Sequence, residues 1–308
     1  MRLAYITHPS SLRHDMGPGH PECPERVSAI NEGLRAAGLL DLLEAVEAKP
    51  ASQEQILRAH DAQHYANLQA RSPGQGLVAI DPDTAMNPHT WQAALHAAGA
   101  VVQAAELVTG AGFGRAFCNL RPPGHHAERG RAMGFCFFNN VAIGMLHALE
   151  ALGLQRVALV DFDVHHGNGS EDILAGDDRV LMVSSFQSPL YPYSGETPLG
   201  ANMRNIALPP SSTGKALRQA VLEQWLPALR KFGPQLVFIS AGFDAHQDDP
   251  LSQLGWTDED YGWVTRQIIQ LADECAQGRV ISTLEGGYHL PALARCAALH
   301  VRALLGID

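Results

Sequence analysis

A single α/β domain with a parallel sheet covered on both faces is the fold class this sequence predicts, and three observations predict it. Short apolar runs alternate with helical patterns along the whole chain. Those runs are continuously apolar rather than alternating, as strands buried on both faces must be. The 308 residues, 46% hydrophobic and 18% charged, contain no Ser/Gly-rich linker, composition shift or internal repeat. One domain over 1–308 is therefore expected rather than two.

The elements follow in order. Leu3-Ala4-Tyr5-Ile6 reads as a strand. Pro24 to Leu40 reads as a helix, with Val27, Ile30 and Leu34 on one face and Pro24 near its first turn. Ser52-x-x-Gln55 has the form of a capping box opening another helix. Trp91 to Val108 is a long helix of small residues, and Ala116-Phe117-Cys118 is a short strand leading into the loop RPPGHHAERGRAMG. Asn140 to Leu152 is helical, Val157 to Asp161 and Val180 to Ser184 are strands, and Leu217 to Leu229 is a helix that Pro227 limits. Leu236 to Ser240 is a strand, Asp260 to Ala276 a helix, Val280 to Leu284 a strand and Pro291 to Leu305 the last helix.

Charge and cysteine usage narrow the function. The net charge is −10 with no basic run. Nucleic acid is thus excluded as an expected partner, because phosphate binding needs a basic footprint, whereas a cationic substrate is compatible. Cys23, Cys118, Cys136, Cys275 and Cys296 are odd in number, widely spaced and without C-x-x-C. Such spacing favours free thiols in a reducing compartment. The apolar part of MRLAYITHPSS is too short for a signal peptide, and no run reaches the ~18 apolar residues of a membrane span. A cytoplasmic protein without a membrane partner is the expectation.

The stretch 159-LVDFDVHHGNGSED-172 crowds Asp161, Asp163, His165 and His166 at the end of an apolar strand. Charges there are costly unless paired or bound to metal. Other strand ends answer it: His125 and His126 follow Cys118, Asp244 follows Ser240, and Glu285-Gly-Gly-Tyr288 follows Leu284. Parallel sheets bind ligands beyond the carboxyl ends of their strands. Asp163-x-His165 puts two ligand-type side chains on one side of an extended segment, and Asp244 is the natural third. Two carboxylates and one imidazole leave positions open, the pattern of a catalytic metal. Zinc fits; iron or manganese also tolerates such oxygen-rich ligands. Alone, DFDVHHGNG reads equally as a hydrogen-bonded turn with surface histidines; the four-way convergence favours a site.

These segments resemble a known family. RPPGHHA (121–127), DFDVHHGNG (161–169), SAGFDAHQDDPL (240–251) and EGGY (285–288) look like the arginase–deacetylase superfamily, in its histone deacetylase and acetylpolyamine amidohydrolase branch. GHPECPERV (19–27) is similar to the class II-type N-terminal loop of that branch. The resemblance implies one α/β domain with a central eight-stranded parallel sheet, and a metal-dependent hydrolase of N-acyl amines. By position it implies Asp163, His165 and Asp244 as zinc ligands, and His125 and His126 as the paired histidines beside the attacking water. It implies Tyr288 as donor to the substrate carbonyl and Asp161 as the acid that orients His125. Gly134, Phe135 and Tyr191 resemble the acyl-lysine tunnel, and Leu251 a residue of its floor. A potassium ion close to the zinc is implied at the Asp161, Asp163 and His165 backbone with Ser184. The implied substrate is an acylated lysine in a peptide or protein, with an acylated polyamine as the alternative. A homo-oligomer is compatible, and a dimer would narrow the entrance. Three positions depart from the pattern: Asn168 where many relatives have Asp, Phe186 where many have His, and Tyr193 where Gly is common. The change at Asn168 implies that His126 lacks a charged partner behind it, and Phe186 and Tyr193 are expected near the tunnel rim.

A catalytically dead binding module is disfavoured, because Asp163, His165, Asp244 and Tyr288 are all kept. An arginase-type two-metal site is disfavoured too, since it needs more aspartates than these strand ends supply. Other features are expected to be structural. His60 and His64 lack the Glu of H-E-x-x-H. Gly110-x-Gly112-x-Gly114 follows a helix, the wrong context for a dinucleotide loop. Asp81-Pro-Asp83 reads as an N-cap or turn, with a rim acid for a cationic substrate as the alternative. His89, His96, His147 and His300 have no company, and Cys136 reads as a small buried hydrophobe.

Overall fold

A computed structural model describes residues 2–110 and 112–307; Met1, Ala111 and Asp308 lie outside the described residues. The strands are β1 (Leu3–Thr7), β2 (Glu44–Glu47), β3 (Val78–Ala79), β4 (Ala85–Met86), β5 (Arg115–Cys118), β6 (Val157–Asp161), β7 (Val180–Gln187), β8 (Met203–Leu208), β9 (Leu236–Ala241) and β10 (Val280–Leu284). The helices are α1 (Glu25–Ala36), α2 (Gln53–Leu57), α3 (Ala62–Arg71), α4 (Thr90–Gly110), α5 (Asn140–Glu150), α6 (Asn168–Leu174), α7 (Gly214–Ala220), α8 (Leu226–Phe232), α9 (Asp258–Cys275) and α10 (Leu290–Leu305). Eight strands form one parallel sheet in the order β2-β1-β5-β10-β9-β6-β7-β8.

Side chains of each strand divide between two cores. Val157 and Leu159 face the layer of α4 and α5, while Ala158 and Val160 face the layer of α1, α9 and α10. Two-sided burial is why the inner strands are continuously apolar. The two edge strands escape sequence reading for the converse reason. Glu44 and Glu47 of β2 are charged, and Arg204 of β8 is exposed. No helix among the described residues is long and apolar enough to cross a membrane.

Several boundaries differ from expectation. The first helix ends at Ala36, because Gly38 takes φ +67° and turns the chain out of the helix. The capping box is present, with Ser52 Oγ accepting from Gln55 N–H at 3.2 Å and Gln55 Oε1 accepting from Ser52 N–H at 2.9 Å, but it opens a single turn. Pro227 does not end a helix. A π-helical turn at Val221–Trp225 precedes it, and Pro227 falls in the first turn of α8, where its missing N–H costs little. The polar stretch after His166, expected as a loop, begins α6 at once behind Gly167.

What the topology does for function lies in the sheet order. β5, β10, β9 and β6 are adjacent at its centre. These four strands carry the four motifs, so all their polar C-terminal extensions meet over the middle of one edge.

Candidate active site

Asp163, His165 and Asp244 are all buried and each offers a ligand atom, these atoms lying within 4.8 Å of one another. His165 Nδ1 is 3.1 Å from Asp163 Oδ1 and 3.2 Å from Asp244 Oδ2. The backbone holds the carboxylates in place. Asp163 Oδ1 accepts from His165 N–H at 2.9 Å and its Oδ2 from Gly286 N–H at 2.8 Å. Asp244 Oδ1 accepts from Val164 N–H at 2.9 Å. A Cβ at Gly286 would lie 2.0 Å from Asp244 Oδ2, so only glycine lets the β10 loop close this cradle.

The electrostatics are those of a cation site. Burial and the charge of Asp163 push Asp244 up to about 7. Burial opposes a charge on His165, yet its hydrogen bonds to Asp163 and Asp244 lift it to about 10. Two buried carboxylates so close are mutually repulsive unless positive charge joins them. The donor set, two oxygens and one nitrogen on fixed backbone, fits a single divalent metal with open positions.

His125 and His126 stand beside this cradle with ring centroids 4.0 Å apart. Their second shells differ. His125 Nδ1–H donates to Asp161 Oδ2 at 3.1 Å, whereas His126 Nδ1–H donates to the Asn168 amide oxygen at 2.7 Å. Burial disfavours the charged form of both. At His125 it is outweighed by Asp163 and Asp161, and the imidazole rises to about 10. At His126 burial and then the charge of His125 hold the imidazole well below its ordinary 6.5. The two adjacent imidazoles are thus shifted in opposite directions, His125 up and His126 down, the kind of separation that divides acid and base roles.

Over the cradle lies a cavity of about 270 Å³, lined among others by His126, Gly134, Phe135, His165, Tyr191, Leu251 and Tyr288. Gly134 has φ +56°, and a Cβ there would sit 2.5 Å from the His126 ring. Phe135 also takes positive φ, +67°, with its N–H bonded to Thr84 Oγ1 at 2.9 Å. The Phe135 ring meets Tyr288 edge-on at 5.9 Å, and His126 meets Tyr191 at 5.2 Å. Burial keeps the Tyr288 phenol well above 10 despite Arg26 beneath its ring at 4.9 Å, so it remains a donor.

The residues expected as metal ligands, paired histidines, tyrosine donor and tunnel lining therefore meet at one edge of the sheet. Ser184 is buried in β7 and pairs in register with Asp161. The three departures do not share a place. Tyr193 is at the rim, 80% exposed. Phe186 is buried and packs on His166 at 4.8 Å, so the expectation of a rim position fails for it, while Asn168 is buried against His126 as its uncharged partner. Asp81 makes a turn rather than an N-cap, accepting from Asp83 N–H at 3.0 Å, while Asp83 lines the cavity. His60 and His64 serve structure: His60 Nε2 accepts from Asn139 N–H at 2.8 Å, and His64 Nε2–H donates to Phe137 O at 2.8 Å.

Sequence reasoning missed the supports. Glu285 is fully buried, and its Oε2 accepts from the N–H of Gly124 at 2.7 Å and of His125 at 3.1 Å. Asp249 Oδ2 accepts from Tyr288 N–H at 2.7 Å and its Oδ1 from Leu251 N–H at 3.1 Å. Glu22 is clasped by buried Arg121 and Arg26, and Arg26 in turn donates to Gly287 O at 2.7 Å. All these residues lie inside the matched motifs, but nothing in the sequence around Glu22 or Asp249 marks them as buried.

Comparison with known proteins gives consistent results. The histone deacetylase domain model matches residues 20–304. The chain is 34% identical to a histone deacetylase-like amidohydrolase of Pseudomonas aeruginosa, over 94% of this chain and 78% of that one. It is 36% identical to the polyamine deacetylase HDAC10 of Mus musculus, over 92% of this chain and 45% of that protein. Among solved structures, the HD domain of HDA15 superposes with a TM-score of 0.92 at 30% identity, covering 99% of this chain and 90% of that one.

Proposed function

The chain belongs to the histone deacetylase family and is a hydrolytic deacetylase; we propose that it removes acetyl or other acyl groups from the ε-amine of acyl-lysine in peptides or proteins, with one divalent metal held by Asp163, His165 and Asp244. The observation that carries this reading is the position of the three-ligand cradle at the base of a cavity walled by Phe135, Tyr191 and Leu251. Apolar walls suit the aliphatic stem of the substrate and bring its acyl group to the ligands.

When bound, the metal supplies Lewis acidity towards the acyl oxygen and acidifies water; zinc suits the donor set, and iron is the second choice. The chain's own residues do the rest. His126, neutral, takes the proton of the attacking water and returns it to the leaving amine. Tyr288 donates a hydrogen bond where charge develops on the acyl oxygen. His125, held charged by Asp161, stabilises that charge without exchanging its proton. A potassium ion at the Asp161, Asp163 and His165 backbone beside Ser184 would brace the cradle from behind.

Acylpolyamine hydrolysis is the second reading, favoured by Asp83 in the cavity lining and by the similarity to a protein named as a polyamine deacetylase. One panel separates the two: kcat/KM on an acetyl-lysine peptide, acetylputrescine and acetylspermidine. The peptide is expected to be the best substrate. Robust acetylputrescine turnover with no detectable peptide deacetylation would promote the second reading.

A further inference from the structure

We propose that Glu128 is a positioning residue that fixes which way the Asn168 amide faces, and through it the tautomer of His126. The inference rests on the hydrolase reading only in taking His126 as the base. Asn168 stands between the two groups, with its Oδ1 2.7 Å from His126 Nδ1 and its Nδ2 2.8 Å from Glu128 Oε1.

An amide in this position has a wrong side. With oxygen towards His126, the ring keeps its proton on Nδ1 and leaves Nε2 as the free base. Turned by 180°, the amide would donate to Nδ1, the ring proton would move to Nε2, and no lone pair would face the substrate. A carboxylate at 168 would need no such control, because both its oxygens accept.

Glu128 supplies the control because an ionised carboxylate only accepts. Turning the amide would set its oxygen against that carboxylate. The second amide hydrogen lies towards the Met133 thioether, a weak acceptor 3.4 Å away, which favours the same side. Asn168 and His126 are 8% and 4% exposed, so little water reaches the contact between them, whereas the Glu128 contact borders a second, open cavity and there the carboxylate competes with water for the amide.

Glu128 is itself fixed. Arg131 holds its carboxylate through Nε at 3.2 Å and Nη2 at 3.2 Å. Its backbone N–H donates to Arg131 O at 2.9 Å, and its carbonyl accepts from His60 Nδ1–H at 3.0 Å. Among the described residues Glu128 makes no hydrogen bond or ion pair with Asp163, His165 or Asp244, and it does not line the 270 Å³ cavity. Its influence on the chemistry therefore runs through Asn168.

The test uses the full chain loaded with zinc and reads three quantities. The first is kcat against KM on an acetyl-lysine peptide. Glu128→Ala should lower kcat about tenfold, a part of the 10²–10⁴ that a positioned acid–base group supplies, with KM and metal content unchanged. Glu128→Gln, whose own amide tolerates either orientation, should fall between Glu128→Ala and wild type and serves if the alanine variant folds poorly. The second is a double-mutant cycle. In an Asn168→Asp background, whatever its own rate, Glu128→Ala should not lower kcat, since a carboxylate has no wrong side and the second change only relieves the contact of two carboxylates. The third needs no turnover: ¹⁵N shifts of the His126 imidazole should report Nδ1–H in wild type and a new Nε2–H population in Glu128→Ala. An equal loss of kcat in both backgrounds, or a tautomer unaltered by Glu128→Ala, would overturn the proposal. If no acyl substrate is turned over, the hydrolase reading fails, while the tautomer measurement still decides the role of Glu128.

Discussion

Asp163, His165 and Asp244 at the cavity floor are buried and tied to backbone amides of neighbouring strand ends, whereas Tyr193 and Asp83 at the rim stand on loops and are at least partly exposed. The floor is set by sheet order, which brings β5, β10, β9 and β6 together, so few side chains can be exchanged there without losing the cradle. Around the rim, each residue is free to vary without moving the floor. The same chemistry can then be offered to different substrates, with specificity decided by groups that add little to stability.

The largest effect should come from the floor. His165→Ala is expected to abolish both metal retention and turnover, because two buried carboxylates would keep only each other. Full metal occupancy and normal turnover in that variant would break the comparison outright. Next, His126→Ala should lower kcat by about 10²–10⁴, the range for a positioned general base, and by more than His125→Ala does. The pH–rate profiles of both variants check this; if only His125→Ala removes the basic catalytic limb, the two roles are exchanged.

The supports behind the floor give the third prediction. Burial would raise the Glu22 carboxyl, but Arg121, His14 and Arg26 hold it well below the usual carboxylate range. Its folded pKa is depressed, so its contribution is present above about 4.5 and is lost as pH falls through the folded value. Denaturant titrations should show wild-type stability decreasing with acidification below that point. Glu22→Gln, which leaves two buried guanidinium groups short of a counter-charge, should cost about 3–5 kcal/mol at neutral pH. An unchanged denaturation midpoint would show that the triad is dispensable. Fourth, Tyr288→Phe should keep fold and metal but lose about 10²–10³ in kcat, the usual effect of removing one oxyanion donor. Near-wild-type kcat would place the donor elsewhere.

What could be read from sequence follows the same division. The inner strands were legible because two-sided burial leaves a continuous apolar run, and their polar extensions named the floor residues one by one. The edge strands β2 and β8 were not, since each has a face that carries charge. Helix α6 was hidden behind Gly167 and Gly169, which read as a turn. Phe186 was expected at the rim and proves to be buried, because spacing along the chain says nothing about which side of a strand-end loop faces the cavity. Glu285, Asp249 and Glu22 were on the page as letters of motifs, but a support is recognised only by the backbone amide or guanidinium it meets.

The smallest expected effect is at the rim, where it bears most on substrate. Asp83 is half-buried and lines the cavity together with Tyr191, whose phenol is pushed upward first by burial and then by the charge of Asp83. A substrate ammonium outside the cavity would feel that charge; a neutral side chain would not. Burial and the neighbouring Asp81 raise the Asp83 pKa, so its negative charge, and any preference for cations, should fade as pH falls towards that raised value. Asp83→Asn should therefore raise KM for acetylputrescine and for a Lys-flanked acetyl-lysine peptide about two- to fivefold, matching the ~0.2–1 kcal/mol of a solvent-accessible ion contact, and leave a neutral-flanked peptide nearly unchanged. Measured on the three substrates at two salt concentrations, the difference should shrink at high salt. An equal loss on all three would mean that Asp83 acts through the turn it forms with Asp81, or through Thr84, whose hydroxyl bonds to it at 2.8 Å and also holds Phe135 N–H. In that case the rim would be coupled to the tunnel wall through backbone geometry, and the independence of rim from floor would hold only for residues further out, such as Tyr193.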